Sequence, residues 1–257
     1  MAIFAVIFVL EKNAIRQGQA FNAALSADFM PRFVQPDCIS VQVTESASIV
    51  KSVETTEVEI TSAFTPIIDF EGKLDTYPDI VAWIQSEDTV INYPIVRGND
   101  NEYYLSHLPD KSRNNMGSIF LDYRNSPDFS DNIILIYGHN MHSGDMFGSL
   151  RHYTGQLYFE KHPSMFIFTP THNFTLLLFA AYVIDSTIEV PPMSFRDSED
   201  FEQFIADIKN RSFFASDIEV NFGDNLMFLC TCTKSGASSE RLVIVGKLLE
   251  NNNESHI

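Results

Sequence analysis

From about residue 90 onward, apolar residues fall in short runs bounded by turn-forming residues, the pattern of a chain of short β-strands. Val90–Gly98 reads as one strand, and Pro94 within it predicts an edge position or a bulge. Gly117–Tyr123 and Asn132–His139 follow as strands on either side of Asn125-Ser-Pro-Asp128. Phe174–Ile184 is apolar on both faces, so it is predicted to be a long buried strand. The stretch Asn225–Leu249 predicts two strands joined by the polar connector Lys234–Glu240. Helical spacing is rarer. Asp79–Gln85 reads as a short amphipathic helix with Ile80, Ala82, Trp83 and Ile84 apolar, and Asn101–His107 as one or two helical turns. A helix near 145–153 carries Met146, Phe147 and Leu150. The clearest helix is 197–209, with an acidic start that suits the helix dipole and Phe201, Phe204, Ile205 and Ile208 on one face. Many short strands and few helices predict a mostly β protein, a closed or nearly closed barrel.

The N-terminal part is different. Met1–Leu10 is wholly apolar, about half the length of a membrane-spanning helix. Two readings fit it: the tail of a membrane anchor whose start has been clipped, or a short buried strand. Residues 11–30 have helix-forming composition up to the break at Met30-Pro31, and residues 36–65 read as a linker or weak strands. The expected organisation is an apolar and helical segment over 1–30, a linker over 31–65, a catalytic domain over 66–250 and a polar tail over 251–257.

Composition narrows the class of function. With 257 residues, 45% hydrophobic and 20% charged, the chain is an ordinary globular protein with length for a real core. Its formal net charge of −17 and lack of any basic run exclude a nucleic-acid-binding surface. Cys38, Cys230 and Cys232 make an odd count, and none is spaced as a C-x-x-C zinc pair. A bridge between Cys230 and Cys232 would be strained, because both lie on one face of a strand.

Candidate chemistry gathers at strand ends. Cys232 sits where the first strand of the predicted hairpin meets its connector, and Arg241 opens the second strand nine positions later. Such a hairpin brings a thiol and a guanidinium together at one rim, where the cation raises the thiolate fraction. Alone, the pair is equally a small buried thiol and a surface charge. Of the seven histidines, His107, His142, His152, His162, His172 and His256 lie in polar helix or loop stretches. His139 instead ends a buried apolar strand directly after Gly138, a glycine expected to relax the backbone and leave the ring at the sheet rim. A base for Cys232 at that position meets it only through the fold.

Tyr137-Gly-His-Asn-Met141, Phe228-Leu-Cys-Thr-Cys232 and Arg241 resemble the His, Cys and Arg motifs of sortases. Tyr77–Ile84, Asn92–Leu105, Gly117–Asn125 and Met146–Leu150 resemble class B of that family, in order, and the 197–209 helix falls where that class inserts one. The resemblance spans about residues 66 to 249. It implies a closed sortase-type barrel of about eight strands with N-terminal helices and one long inserted helix. It also implies a cysteine transpeptidase that cleaves a C-terminal sorting signal after Thr through a Cys232 thioester. His139 would be the acid–base group and Arg241 the donor to the oxyanion or substrate backbone. Cys230, Thr231, Thr233 and Asn140 would contact substrate, with no metal and no cofactor. The implied partners are secreted proteins bearing the signal and the amine of peptidoglycan or its lipid-linked precursor. The enzyme would sit on the outer face of a Gram-positive cell membrane, touching it only through an N-terminal anchor, and loss of residues 1–30 would leave the domain folded. Two positions depart from the family pattern: Phe228 stands where Thr is usual, and Cys230 where Ser is common. They leave open a non-catalytic or hydrolytic surface module that has kept the barrel.

Overall fold

The computed structural model describes residues 2–30, 68–232 and 239–251, with side chains of residues 2–10 and of Cys232 outside that description. Cys38, Thr233, most of the connector after Cys232 and the proposed weak strands at 36–65 therefore lie outside the described residues.

Eight strands close into one barrel: β1 (Ile80–Gln85), β2 (Asn92–Arg97), β3 (Ile119–Leu121), β4 (Ile133–His139), β5 (Ser164–Phe168), β6 (Asn173–Asp185), β7 (Leu226–Cys232) and β8 (Glu240–Glu250). Their order around the barrel is β1-β2-β3-β4-β7-β8-β6-β5. Most neighbours are antiparallel, but β2 with β3 and β4 with β7 are parallel. Closure leaves no edge strand to protect among the described residues.

Three apolar clusters follow from strand alternation. The barrel interior is filled by alternate residues such as Ile134, Ile136, Met227, Leu229 and Ile244. The opposite face of β4, β6, β7 and β8 is covered by α3 (Ser198–Arg211). Phe201, Ile205 and Ile208 of α3 are buried against it, and Asp197 caps the helix by accepting from the Asp200 amide at 2.9 Å. The third cluster joins the later part of α1 (Ala2–Phe29) to the outside of β1–β3. There Phe29 stacks on Trp83 at 5.1 Å between ring centroids.

Four expectations change. Asp79–Gln85 is largely strand, not helix: Trp83 and Ile84 pair with β2 on one side and β5 on the other, and tertiary pairing overrides a six-residue periodicity. Pro94 is not on an edge. It faces Trp83, and pairing with β3 begins only at Ile95, so on that side its missing N–H removes no ladder bond. Two further elements, α2 (Gln156–Lys161) and β5, carried no clear sequence signal.

The fourth change concerns the N-terminus and the membrane placement expected of it. Met1–Leu10 is not followed by more apolar chain: α1 runs on through Glu11, Lys12 and Arg16, and no helix among the described residues is long and apolar enough to cross a membrane. The face of α1 bearing Leu25 and Phe29 is spent on the barrel instead, both side chains being buried. Placement at a membrane face through an N-terminal anchor is overturned with it.

Candidate active site

Strand direction builds the site. Because β4 and β7 are parallel, their C-terminal residues reach the same rim, and the ladder pairs His139 with Cys232 directly. β8 runs antiparallel to β7 and so starts at that rim. The β7–β8 ladder ends where Cys230 pairs with Val243, and Arg241 lies two residues beyond that pair, toward the rim, on β8. His139 and Cys232 thus sit side by side on adjacent strands, spaced by about 4.8 Å, with Arg241 at the same rim on the next strand. Alternation puts His139 and Arg241 on the face away from the barrel interior, the face of Leu135, Tyr137, Cys230 and Val243.

The His139 ring is buried, with Nε2 2.6 Å from the Leu105 carbonyl oxygen. A carbonyl only accepts, so Nε2 carries a proton in this contact. Leu105 closes a 3₁₀ turn, Tyr103–Leu105, and Gly117 lies directly against it. Gly117 has φ of +62°, and a Cβ there would meet the Tyr104 and Leu105 carbonyl oxygens at 2.6 and 2.9 Å. Only glycine lets the chain pass behind the carbonyl that holds the histidine. Gly138 serves a different purpose from the relaxed backbone expected of it. It points into the barrel, where a Cβ would strike Ile119 and come within 2.7 Å of the Phe147 ring. Close packing, not backbone freedom, requires it.

Next to the rim lies a cleft of about 180 Å³. Tyr137, Cys230 and Arg241 line its barrel side, and Ser186, Glu189 and Val190 its other wall. Arg241 is half-buried. Cys230 is a buried thiol in the cleft floor. Burial pushes the Tyr137 hydroxyl up, and Cys230 and Asp122 push it further. The Tyr182 hydroxyl rises for the same first two reasons, burial and Cys230. Asp122, with no exposed surface, accepts from Arg124 at 2.7 and 2.8 Å, from Asn101 at 2.9 Å and from Tyr137 at 3.1 Å. Burial alone would raise its pKa, but the Arg124 and Asn101 hydrogen bonds outweigh that and lower it to about 2.

The remaining candidates are less uniform. Thr231 contributes to the cleft lining, but its hydroxyl is held by Leu242, accepting from the amide at 3.0 Å and donating to the carbonyl at 3.3 Å. Asn140 is exposed just past β4, bridged to Met146. Phe228 is fully buried beneath α3, its ring 6.1 Å from that of Phe204, so this departure lies in the core. Cys230 is the departure that faces the cleft. Tyr137 was findable from sequence, two residues before His139 on the same face. Leu105, Arg124 and the wall at 186–191 carried no such signal. A larger open groove of about 490 Å³ lies elsewhere, around Asn22, Ser26, Asn92 and Tyr93, with no lining residue from β4, β7 or β8.

Comparison with known proteins agrees with this geometry. The family model described as the sortase domain matches residues 84–249. The chain belongs to the sortase family. Within it, the chain is similar to Sortase B of Listeria monocytogenes, 36% identical over 172 residues that cover 66% of this chain and 70% of the relative. Sortase B of Staphylococcus aureus is 30% identical over 182 residues, 70% of this chain and 75% of that one. The solved Staphylococcus aureus sortase B–substrate complex superposes with a TM-score of 0.67 at 31% identity, covering 70% of this chain and 84% of that chain. The class B resemblance, the eight-stranded sortase barrel and a cysteine transpeptidase of this family are thereby established for the chain.

Proposed function

We propose that this sortase cleaves a C-terminal sorting signal after Thr and transfers the protein to a cell-wall amine, with Cys232, His139 and Arg241 as the reacting set. The observation that supports the proposal is the pairing of His139 with Cys232 across β4 and β7, with Arg241 at the same rim on β8. The Cys232 thiolate attacks the Thr carbonyl carbon, and the C–O double bond opens to a tetrahedral oxyanion. Arg241 supplies N–H donors to that oxygen or to the peptide backbone beside it. As the intermediate collapses, the C–N bond breaks, the leaving amine takes a proton from His139, and a thioester remains on Cys232. An incoming amine then attacks the thioester, His139 removes its extra proton, and the Cys232 thiolate leaves as the new amide forms. A peptidoglycan amine, or that of its lipid-linked precursor, is the acceptor of this chemistry. The cleft beside the rim, with Cys230 in its floor, is where the residues before Thr would lie.

Incubation with a set of sorting-signal peptides and amines, with mass spectrometry of the products, tests this reading. Wild type should give a Cys232 acyl-enzyme and an amide product. Cys232→Ala should give neither, and Cys230→Ser should retain substantial turnover. Hydrolysed peptide with no amide at saturating amine would overturn the transfer step, and turnover by Cys232→Ala would overturn the nucleophile.

A further inference from the structure

The outer wall of the cleft is a short piece of chain between β6 and α3, and its attachment is unusually specific. Its first turn is closed by Asp185, whose carbonyl accepts from the amides of Ile188 and Glu189 at 2.9 and 2.8 Å. Ser186 ties the same turn to the start of β8, its amide and hydroxyl donating to the Ser239 carbonyl at 2.9 and 2.8 Å. Past that point the wall is held from the far end of α3. Arg211, the last residue of the helix, makes a two-pronged contact with Glu189: Nη1 donates to Oε1 at 3.1 Å and Nη2 to Oε2 at 3.0 Å. Nη2 also donates to the Val183 carbonyl at 3.0 Å, and Nη1 to Asp207 at 3.1 Å. The guanidinium lies over the Tyr182 ring, 4.8 Å from its centroid. One side chain therefore ties together the helix end, two residues of β6 and the wall residue Glu189, which lines the cleft opposite Cys230 and Arg241.

We infer that Arg211 is a positioning residue for the transpeptidase site, a latch through which the inserted helix α3 holds the Glu189 wall at the distance from β7 that the substrate needs. This rests on the proposed function for its purpose but not for its geometry. Beyond Glu189 the wall presents Ile188 and Val190, both largely exposed at 85% and 74%. So exposed an apolar tip has little packing to fix it, and its position depends on the turn at Asp185, the Ser186 bonds to Ser239 and the Arg211 fork. Lysine cannot replace the fork, because an ammonium lacks the planar pair of donors and does not stack on Tyr182 in the same way.

The test reads the wall directly and turnover separately. In a background of Cys38→Ser and Cys232→Ser, Cys230 is the sole thiol and lies beneath the wall. Its rate of reaction with a small maleimide should rise roughly fivefold in Arg211→Lys and in Glu189→Gln, the scale of a partly exposed charged pair. The double variant should react no faster than the quicker single one, because the two groups act as one contact. In the native-cysteine protein the same substitutions should raise KM for a sorting peptide by a similar factor and leave kcat within about twofold. Unchanged Cys230 reactivity in both single variants, or strictly multiplied effects in the double, would overturn the latch. Faster labelling with no peptide turned over even by wild type would support the latch and sink the sorting-signal reading. A lowered melting temperature with unchanged labelling and KM would reduce Arg211 to a structural role and overturn the inference.

Discussion

Arg241 is where charge and geometry make different demands. If it acted on the Cys232 thiol by charge alone, Arg241→Lys would keep most turnover, since both side chains are cations. If it binds the oxyanion or the peptide backbone, the fork of donors is needed. Loss of one oxyanion donor costs about 10²–10³ in turnover. Arg241→Lys and Arg241→Ala are both expected to fall by at least about 100-fold in kcat/KM, while iodoacetamide labelling of Cys232 changes far less. A Lys variant near wild-type turnover would leave only the electrostatic role. Asp122 carries a pH prediction. Its folded-state pKa, about 2, is below the ordinary 3.8. The unfolded chain therefore binds the proton more readily, and the stability contributed is full above pH 3.8 and lost as pH falls toward 2. Across that window Asp122→Asn should show a shallower loss of stability than wild type in urea titrations at stepped pH. Equal slopes would show that the Arg124 and Asn101 contacts do not hold the charged form.

Among the elements, the loop between β2 and β3 is the one that serves the histidine. Tyr104 is buried in it with its hydroxyl on Asp79, and Gly117 fits behind the Leu105 carbonyl that bonds His139. Gly117→Ala adds a Cβ at positive φ, a conformation that costs a non-glycine residue about 1–2 kcal/mol, and presses on that carbonyl. We expect turnover to fall by more than stability does. The ¹⁵N shifts of His139 should also move away from a single Nε2-protonated form. A variant with ordinary turnover and unchanged His139 shifts would show that Leu105 is a bystander. The inserted helix was legible in the sequence down to its buried residues, because Phe201, Ile205 and Ile208 repeat at helical spacing and nothing competes with them. β1 was not. Six residues are too few for periodicity to separate strand from helix, and its identity is settled by β2 and β5 on either side.

At the scale of the whole molecule, α1 belongs to the folded unit. Phe29 and Leu25 are buried with Trp83, Asn92 donates to Ser26 at 2.8 Å, and Gln19 donates to Asp145 at 2.7 Å. Deleting residues 1–10 should leave the melting temperature almost unchanged, because these contacts, and the bond Asn114 donates to the Ala14 carbonyl at 2.8 Å, all begin later. Deleting residues 1–30 uncovers Trp83 and removes the Phe29 ring, a loss on the order of 3–5 kcal/mol for the aromatic alone. Thermal unfolding of the two truncations checks this, and equal melting temperatures would show that α1 adds nothing to the barrel.

The sequence by itself determined the strands that end in chemistry. Apolar runs stopping at His139 and Cys232, and a strand opening at Arg241, mark where side chains leave a sheet, and strand alternation then fixes their common face. It determined the family as well, through motifs that are local in the chain. Other features depended on the fold because they join residues far apart. The parallel pairing of β4 with β7 is set by barrel closure, and it alone sets His139 beside Cys232. The N-terminal apolar run looked like an anchor because composition does not say what a helix packs against. Further along the same helix, Phe29 stacks on Trp83, across 53 intervening positions of sequence. The cleft wall was equally hidden, since Glu189 and Arg211 meet only because α3 folds back along β6.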